Sequence, residues 1–338
     1  MTHSEHWLVT GQMARNWSGV TSVVRWTLSR WKLIGASILR KEIIDMQQNP
    51  VKMRMYDGDT LKWESDGKLY GLHVYQDDGY DDGPRGWDNV DIMACWHRHY
   101  SLGDKISDKT PEQFWQRLVR ENVSDEDIFK AALAGELDGI RLAQNEDDPE
   151  CYDIYETCYL AGFQTRDEAK EYLEYSEIGQ RAVADYILDD LTIGHCQKLM
   201  KPHAEWLDLW LYDHSGITMS CSHGGNPFYC PWDSGQVGWI VTLKEQYMKE
   251  CRVAEDEWRE RAVEMMEADV GVYDQFLTGD VYGYKLYEAE IPDGDDDPEW
   301  AEIDSCWGFY GSDIYESGMA DYLPDGLEEG VMNDGTVA

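Results

Sequence analysis

The chain has 338 residues, 42% of them hydrophobic, and carries 67 acidic against 29 basic side chains for a formal net charge of -38. A chain this long and this apolar buries a core, which excludes a disordered tail protein. Charge of this sign opposes direct binding to nucleic acid or to an anionic membrane, and no apolar run approaches the ~20 residues that span a bilayer. Eight cysteines without regular spacing, and no CxxC, point to a reduced cytoplasmic protein. The opening residues lack a basic start, apolar block and small-residue cleavage site in that order. Charge is unevenly spread. Residues 1–40 hold five bases and one acid, whereas residues 288–338 hold sixteen acids and no Lys or Arg.

Residues 1–65 read as a basic N-terminal extension. Within it VVRWTLSRWKLIGASIL (23–39) has the pattern of an amphipathic helix, suited to docking on an acidic body. LYGLHVYQ (69–76) predicts a strand, followed by an acidic loop at Asp77, Asp78, Asp81 and Asp82 that lacks EF-hand spacing. VDIMACWHRHY (90–100) predicts a second strand, buried through Ile92, Ala94 and Trp96 or through Met93, Cys95 and His97. A regular strand would put His97 and His99 on one face, where they could chelate a metal given further ligands.

Residues 105–205 read as a helical, acidic insertion. Thr110-Pro111-Glu112-Gln113 is a capping box with proline at the first helical position. Ser124 followed by three acids starts another helix. Thr165 to Glu168 is a third box, and Val183, Tyr186, Ile187 and Leu191 mark a further helix. The outward faces would carry Asp153, Glu156, Asp167, Glu168, Glu171, Glu174, Glu177, Asp185, Asp189 and Asp190.

EWLDLWLYDH (205–214) alternates as a core strand and leads into residues 212–241, around which the chain is organised. Here Ile217, Met219 and Cys221 alternate with polar residues, Gly224 to Pro227 form a turn cluster, and Val237–Thr242 is a further short run. Tyr212, Phe228, Trp232, Val237, Trp239 and Ile240 are expected to be buried. Thr242-Leu243-Lys244-Glu245 reads as a capping box opening a helix over 243–268 with an apolar stripe that lies on the sheet. VYGYKLY (281–287) and IDSCWGFYG (303–311) are the last strands. The loop between them holds Asp295, Asp296 and Asp297, and 313–338 is an acidic tail with a mobile tip.

The phrases YDHSGIT, CPWDSGQVGW, YDQFLTGDVYGY and DSCWGFYG, with GLHVYQDD, WDN and MACWHRHYSLGD upstream, resemble an uncharacterised family of phages and other mobile elements. The resemblance covers roughly residues 70–104 and 206–312. It implies a mobile-element origin and no particular reaction.

Three chemistries compete. Cys221, His223 and Cys230 are zinc-type ligands within ten residues, though not in a finger or ribbon pattern. His214, Cys230, Asp233 and Ser234 supply nucleophile, base and orienting acid for a small hydrolase-like enzyme, or else ordinary turn residues. GxSxG, HExxH and a phosphate-binding Gly loop with Lys do not occur. The third reading is a binding surface without catalysis or cofactor. Carboxylates at phosphate-like spacing would occupy the nucleic-acid groove of a basic host protein or nucleoprotein complex of a defence system, through the acids of the insertion and Asp295 to Asp297. The expected fold is α+β: a mixed, largely antiparallel sheet from 66–104 and 206–312, a long covering helix, and the acidic helical insertion at 105–205.

Overall fold

The computed structural model describes residues 52–79, 83–133, 137, 141–144, 152–155, 159–163, 188–189, 191–294, 297–327 and 331–333. The chain is α+β, with every strand pair antiparallel. The expected single sheet is divided in two. The first consists of β1 (Thr60–Ser65), β2 (Lys68–Gln76), β10 (Val281–Glu290), β11 (Ala301–Tyr310) and β12 (Val331–Asn333), in the order β11-β10-β2-β1-β12. The second consists of β3 (Ile92–Cys95), β7 (Ala204–Asp213), β8 (Ile217–Ser222) and β9 (Ser234–Leu243), in the order β3-β9-β7-β8. A small sheet of β4 (Arg141–Gln144), β5 (Tyr152–Tyr155) and β6 (Tyr159–Phe163) lies within the insertion, which is therefore not purely helical.

The second sheet is covered on both faces. Leu207, Leu209 and Leu211 of β7, with Met93 and Ile240, pack against Met266, Val270 and Tyr273 of the long helix α5 (Trp258–Thr278). Ala94, Trp239, Val241 and the half-buried Trp206 pack on the other side. There they meet Phe114, Trp115 and Leu118 of α1 (Pro111–Asn122) and Cys196 and Met200 of α3 (Ile193–Met200). Ile92, Ala94 and Trp96 thus face one core and Met93 and Cys95 the other, while His97 lies beyond the end of β3 and in neither. The capping signals hold where they can be checked. Thr110 Oγ1 accepts from the Gln113 N–H, and Gln113 Oε1 accepts from that of Lys109. Ser124 caps α2 (Asp125–Leu133) through the Asp127 N–H. The Thr165 box and most of the 183–191 segment lie outside the described residues.

The predicted helix over 243–268 is two helices. α4 (Lys244–Cys251) ends where Arg252 turns left-handed (φ 54°), and α5 begins at Trp258. Thr242 is not a cap: it closes β9 as a buried strand residue, and Leu243 takes the N-cap position. The extension reading also stops short. β1 pairs along its whole length with β2 across an Asp66-Gly67 turn whose φ angles are both positive, which is the primed hairpin geometry. The tail folds back as well. Ile314, Met319 and Leu327 are buried, the Trp63 indole donates to the Asp325 carbonyl, and β12 pairs with β1.

One buried ion network joins the parts. The Arg85 side chain is 5% exposed and donates to Asp91 Oδ1 (2.8 Å) and to both oxygens of Asp104 (2.8 and 2.9 Å). Asp104 Oδ2 also accepts from the Met93 N–H of β3. This return is possible because Gly103 sits at φ 69°, where a Cβ would come 2.3 Å from the Met93 carbonyl oxygen. The Gly103 N–H donates to the Tyr273 hydroxyl of α5. Burial opposes charge on Arg85, but the two carboxylates hold its pKa above the ordinary value. Asp91 is raised well above the usual carboxyl range by burial and by Asp269 of α5, against the pull of Arg85. Its Oδ2 is buried and accepts from no N–H or hydroxyl donor. Burial and the neighbouring Asp269 carboxylate both disfavour charge on Asp91.

The sheet edges are closed by side chains and irregularities. On β8, Asp274 of α5 accepts from both the Thr218 hydroxyl (2.6 Å) and the Met219 N–H (2.7 Å). β11 carries two register shifts against β10, at Ile303 and Gly308.

A group raised on folding contributes stability below its unfolded pKa that is lost as pH rises through its folded pKa. Asp269→Asn removes one charge beside Asp91 and supplies an amide donor. The wild type should therefore lose more stability than Asp269→Asn as pH rises above the usual carboxyl range. Above neutral pH the variant should melt roughly 1–2 °C higher, about what 1 kcal/mol produces in a chain of this size. Thermal melts of both proteins across the pH series check this, and parallel curves would refute the coupling of Asp269 to Asp91.

Candidate binding loop

The central stretch forms two connections at one end of the second sheet. β7 turns into β8 through His214, Ser215 (φ 62°) and Gly216, and the His214 N–H donates to the Gly216 carbonyl. β8 leads to β9 through residues 223–233. That loop is bonded to itself at several points. Asn226 Nδ2 donates to Ser234 Oγ (2.6 Å), Ser234 Oγ donates to the Cys230 carbonyl, and the Phe228 N–H donates to Asn226 Oδ1 (2.9 Å). Ser222 Oγ donates to the Gly225 carbonyl, and the Asp213 N–H donates to the Asp233 carbonyl. The Phe228 ring packs on Tyr212 at 5.7 Å. The loop is thus an ordered body seated on β7.

The hydrolase-like residues do meet, but in the wrong order for nucleophilic catalysis. Asp233 Oδ2 lies 3.6 Å from Cys230 Sγ and 3.5 Å from His214 Nδ1. The carboxylate therefore stands between sulfur and imidazole, whereas an activated thiol needs the imidazole next to it and the carboxylate behind. Ser234 is committed to Cys230 and Asn226, as a turn residue. His214 is 63% exposed, and water reaches it freely.

The zinc-type ligands do not converge. Cys221 packs against the α5-side core, and burial with help from Glu267 pushes its thiol up to about 12, away from the thiolate a metal requires. His223 is exposed at the start of the loop, and Cys230 faces Asp233. Among the described residues, no group of three His, Cys, Asp or Glu side chains is arranged to hold a metal ion. β3 ends at Cys95, so His97 and His99 do not form a strand pair. His97 Nδ1 accepts from the His99 and Tyr100 N–H groups, and its ring stacks on Tyr100 at 5.0 Å. The Tyr100 hydroxyl in turn donates to Asp213 Oδ1 (3.3 Å), next to the loop.

Of the acids expected to meet a partner, Asp189 and Asp297 are exposed, and Asp189 lies 3.8 Å from Arg120. Asp153 falls on β5. Glu156, Asp167, Glu168, Glu171, Glu174, Glu177, Asp185, Asp190, Asp295 and Asp296 lie outside the described residues. A shallow groove of about 370 Å³ sits well apart from the loop, beside α3 and α5, and is lined by Lys198, Lys201, Glu205, Trp206 and Arg259 among others.

The loop's most informative side chains contradict the burial expectation. Tyr229 is 92% exposed and Trp232, expected inside, is 91% exposed. Hydrophobicity alone places a tryptophan in the core. The available counter-signal was the setting, since Pro227, Pro231 and two glycines break any period that could turn Trp232 inward. From Pro202 to Leu243 the chain contains no Lys or Arg, so Asp213 and Asp233 flank these aromatics without a lysine or arginine from the same segment.

No family model matches the chain, and neither the curated proteins nor the solved structures include a significant match.

Because Tyr229 and Trp232 touch little of their own protein, Tyr229→Ala and Trp232→Ala should each leave the melting temperature within about 2 °C of wild type. Asn226→Ala, which removes the loop's central hydrogen bonds, should raise protease sensitivity at the loop. Melts and limited chymotryptic digestion of the three variants check this.

Proposed function

We propose that the chain is a non-catalytic interaction protein of phage or mobile-element origin. In this reading it acts in the host cytoplasm as a counter-defence inhibitor and occupies a basic, nucleic-acid-binding surface of a CRISPR or restriction effector. The observation that carries the reading is an internally bonded loop that offers Tyr229 and Trp232 almost wholly to solvent, in a chain with a net charge of -38. Exposed Tyr and Trp on a rigid support are the side chains that most often anchor protein interfaces, because they bury much area at small entropic cost. Carboxylates facing a groove built for phosphate steer the approach and gain from counterion release. Catalysis by His214, Cys230 and Asp233 draws no comparable support, since the carboxylate separates the thiol from its base.

Binding to a purified effector complex at low salt should weaken steeply as salt rises. The Tyr229→Ala/Trp232→Ala double variant should lose roughly 30-fold in affinity, about 2 kcal/mol for an aromatic anchor. Cys230→Ala should bind as wild type. Calorimetry or surface-capture kinetics measure all three. Undetectable binding of the wild type across a panel of such effectors at low salt would sink the reading.

A further inference from the structure

Among the described residues, one face of the five-stranded sheet stays partly exposed and is lined with rings. The strand register places Tyr75, Gly283 and Trp307 in one row across β2, β10 and β11, with His73, Lys285 and Ser305 in the next. Gly71, Tyr287 and Glu302 make a third row, continued onto β1 by Lys62. Directly paired residues share a face, so these side chains form one surface. The rings are in contact. Tyr75 and His73 lie 4.2 Å apart by centroid, with the Tyr75 hydroxyl 2.8 Å from His73 Nδ1, and Tyr75 lies 5.9 Å from Trp307. Trp307 is 45% exposed.

The surface has glycines where its indoles lie. A Cβ at Gly283 would come 2.1 Å from the Trp307 ring, and one at Gly71 would come 3.2 Å from the Trp300 ring. Glycine inside a strand weakens it and is retained where something must approach the backbone closely. Here what approaches is an indole laid flat on the sheet.

Aromatic rings on an antiparallel sheet can stack nucleobases, but such platforms also need cations to hold the phosphates. This face carries two lysines, both engaged: Lys285 is ion-paired with Glu302 (3.0 Å), and Lys62 sits 5.2 Å over the Trp300 ring. Glu64 and Glu302 share this face, and Asp57 is close enough to act on His73. Burial lowers the pKa of His73, against the pull of Asp57. The balance is negative, and Lys62 shows a ring here already accepting a cation. Planar guanidinium groups stack on aromatic faces and pair with carboxylates at once, which ammonium groups do less well.

The geometry points to a second docking surface: the Tyr75–Trp307 face binds arginine side chains from a basic segment of a protein partner. This inference rests on the proposed function and adds where and by what chemistry the partner is held.

Labelled oligoarginine and oligolysine of equal length are the probes, titrated into the full chain at low salt. Oligoarginine should bind about fivefold or more tightly than oligolysine. In Trp307→Ala and in Tyr75→Ala the two peptides should bind alike. In the wild type, the Trp307 indole N–H resonance, identified by its absence in Trp307→Phe, should shift on adding oligoarginine, a readout that does not depend on how the alanine variants fold. Equal binding of both peptides to the wild type, an arginine preference that survives in both variants, or an unmoved indole resonance overturns the platform while leaving the acidic-surface reading standing. If neither peptide binds, both fail. An oligothymidylate that binds and shifts the same resonance also overturns the arginine assignment.

Discussion

A buried guanidinium holds this architecture together. Arg85 reaches from a short turn after the first sheet's β2 to the start of β3 and to the turn that follows β3, and it satisfies carboxylates at both. Removing one partner of such a group leaves a charge in the interior, which costs several kcal/mol. The network also fixes the second sheet against α5, because the turn held by Asp104 presents the Gly103 N–H to Tyr273. In a chain with more than two carboxylates for every base, placing one of the few arginines inside is a commitment.

The remaining cations follow the same logic on a smaller scale. Arg117 bonds Asp108 and Glu121, Arg259 bonds Glu205 and the Lys201 carbonyl, and Lys68 bonds Glu288. These pairs are partly or largely exposed, and each contributes little to stability. Their effect is on the field outside. Each such pair neutralises a base, and with 67 acids against 29 bases the surplus that a partner meets is acidic. The charge and the loop aromatics therefore act at different ranges, one on approach and the other on contact.

Much of the framework was legible in the sequence because burial and periodicity agree there. The alternation of Leu207, Leu209 and Leu211 announced β7, and the Thr110 box announced α1. Failures occurred where a local signature had two meanings. Thr242 to Glu245 has the form of a capping box, yet β9 runs straight into α4, and the threonine is the strand's last fully buried residue. The break at Arg252 is made by a left-handed arginine and not by glycine, so nothing in composition marked it. α3 starts at Thr192, a proper cap, but Ile193 and Gly194 disguised the first turn. At the candidate loop the sequence supplies the residue types but not their order in space. That Asp233 stands between His214 and Cys230 depends on how two turns from different strands meet.

The closure of the strand edges limits how this molecule can be recognised. The β8 edge spends its Met219 N–H on Asp274, the β3 edge gives that of Met93 to Asp104, and β11 breaks its own repeat twice. A peptide cannot extend either sheet from these borders by zipping its backbone alongside, the usual route for extended ligands. A companion that docks at these borders must instead grip protruding side chains, and selectivity there resides in ring shape and charge rather than in main-chain register.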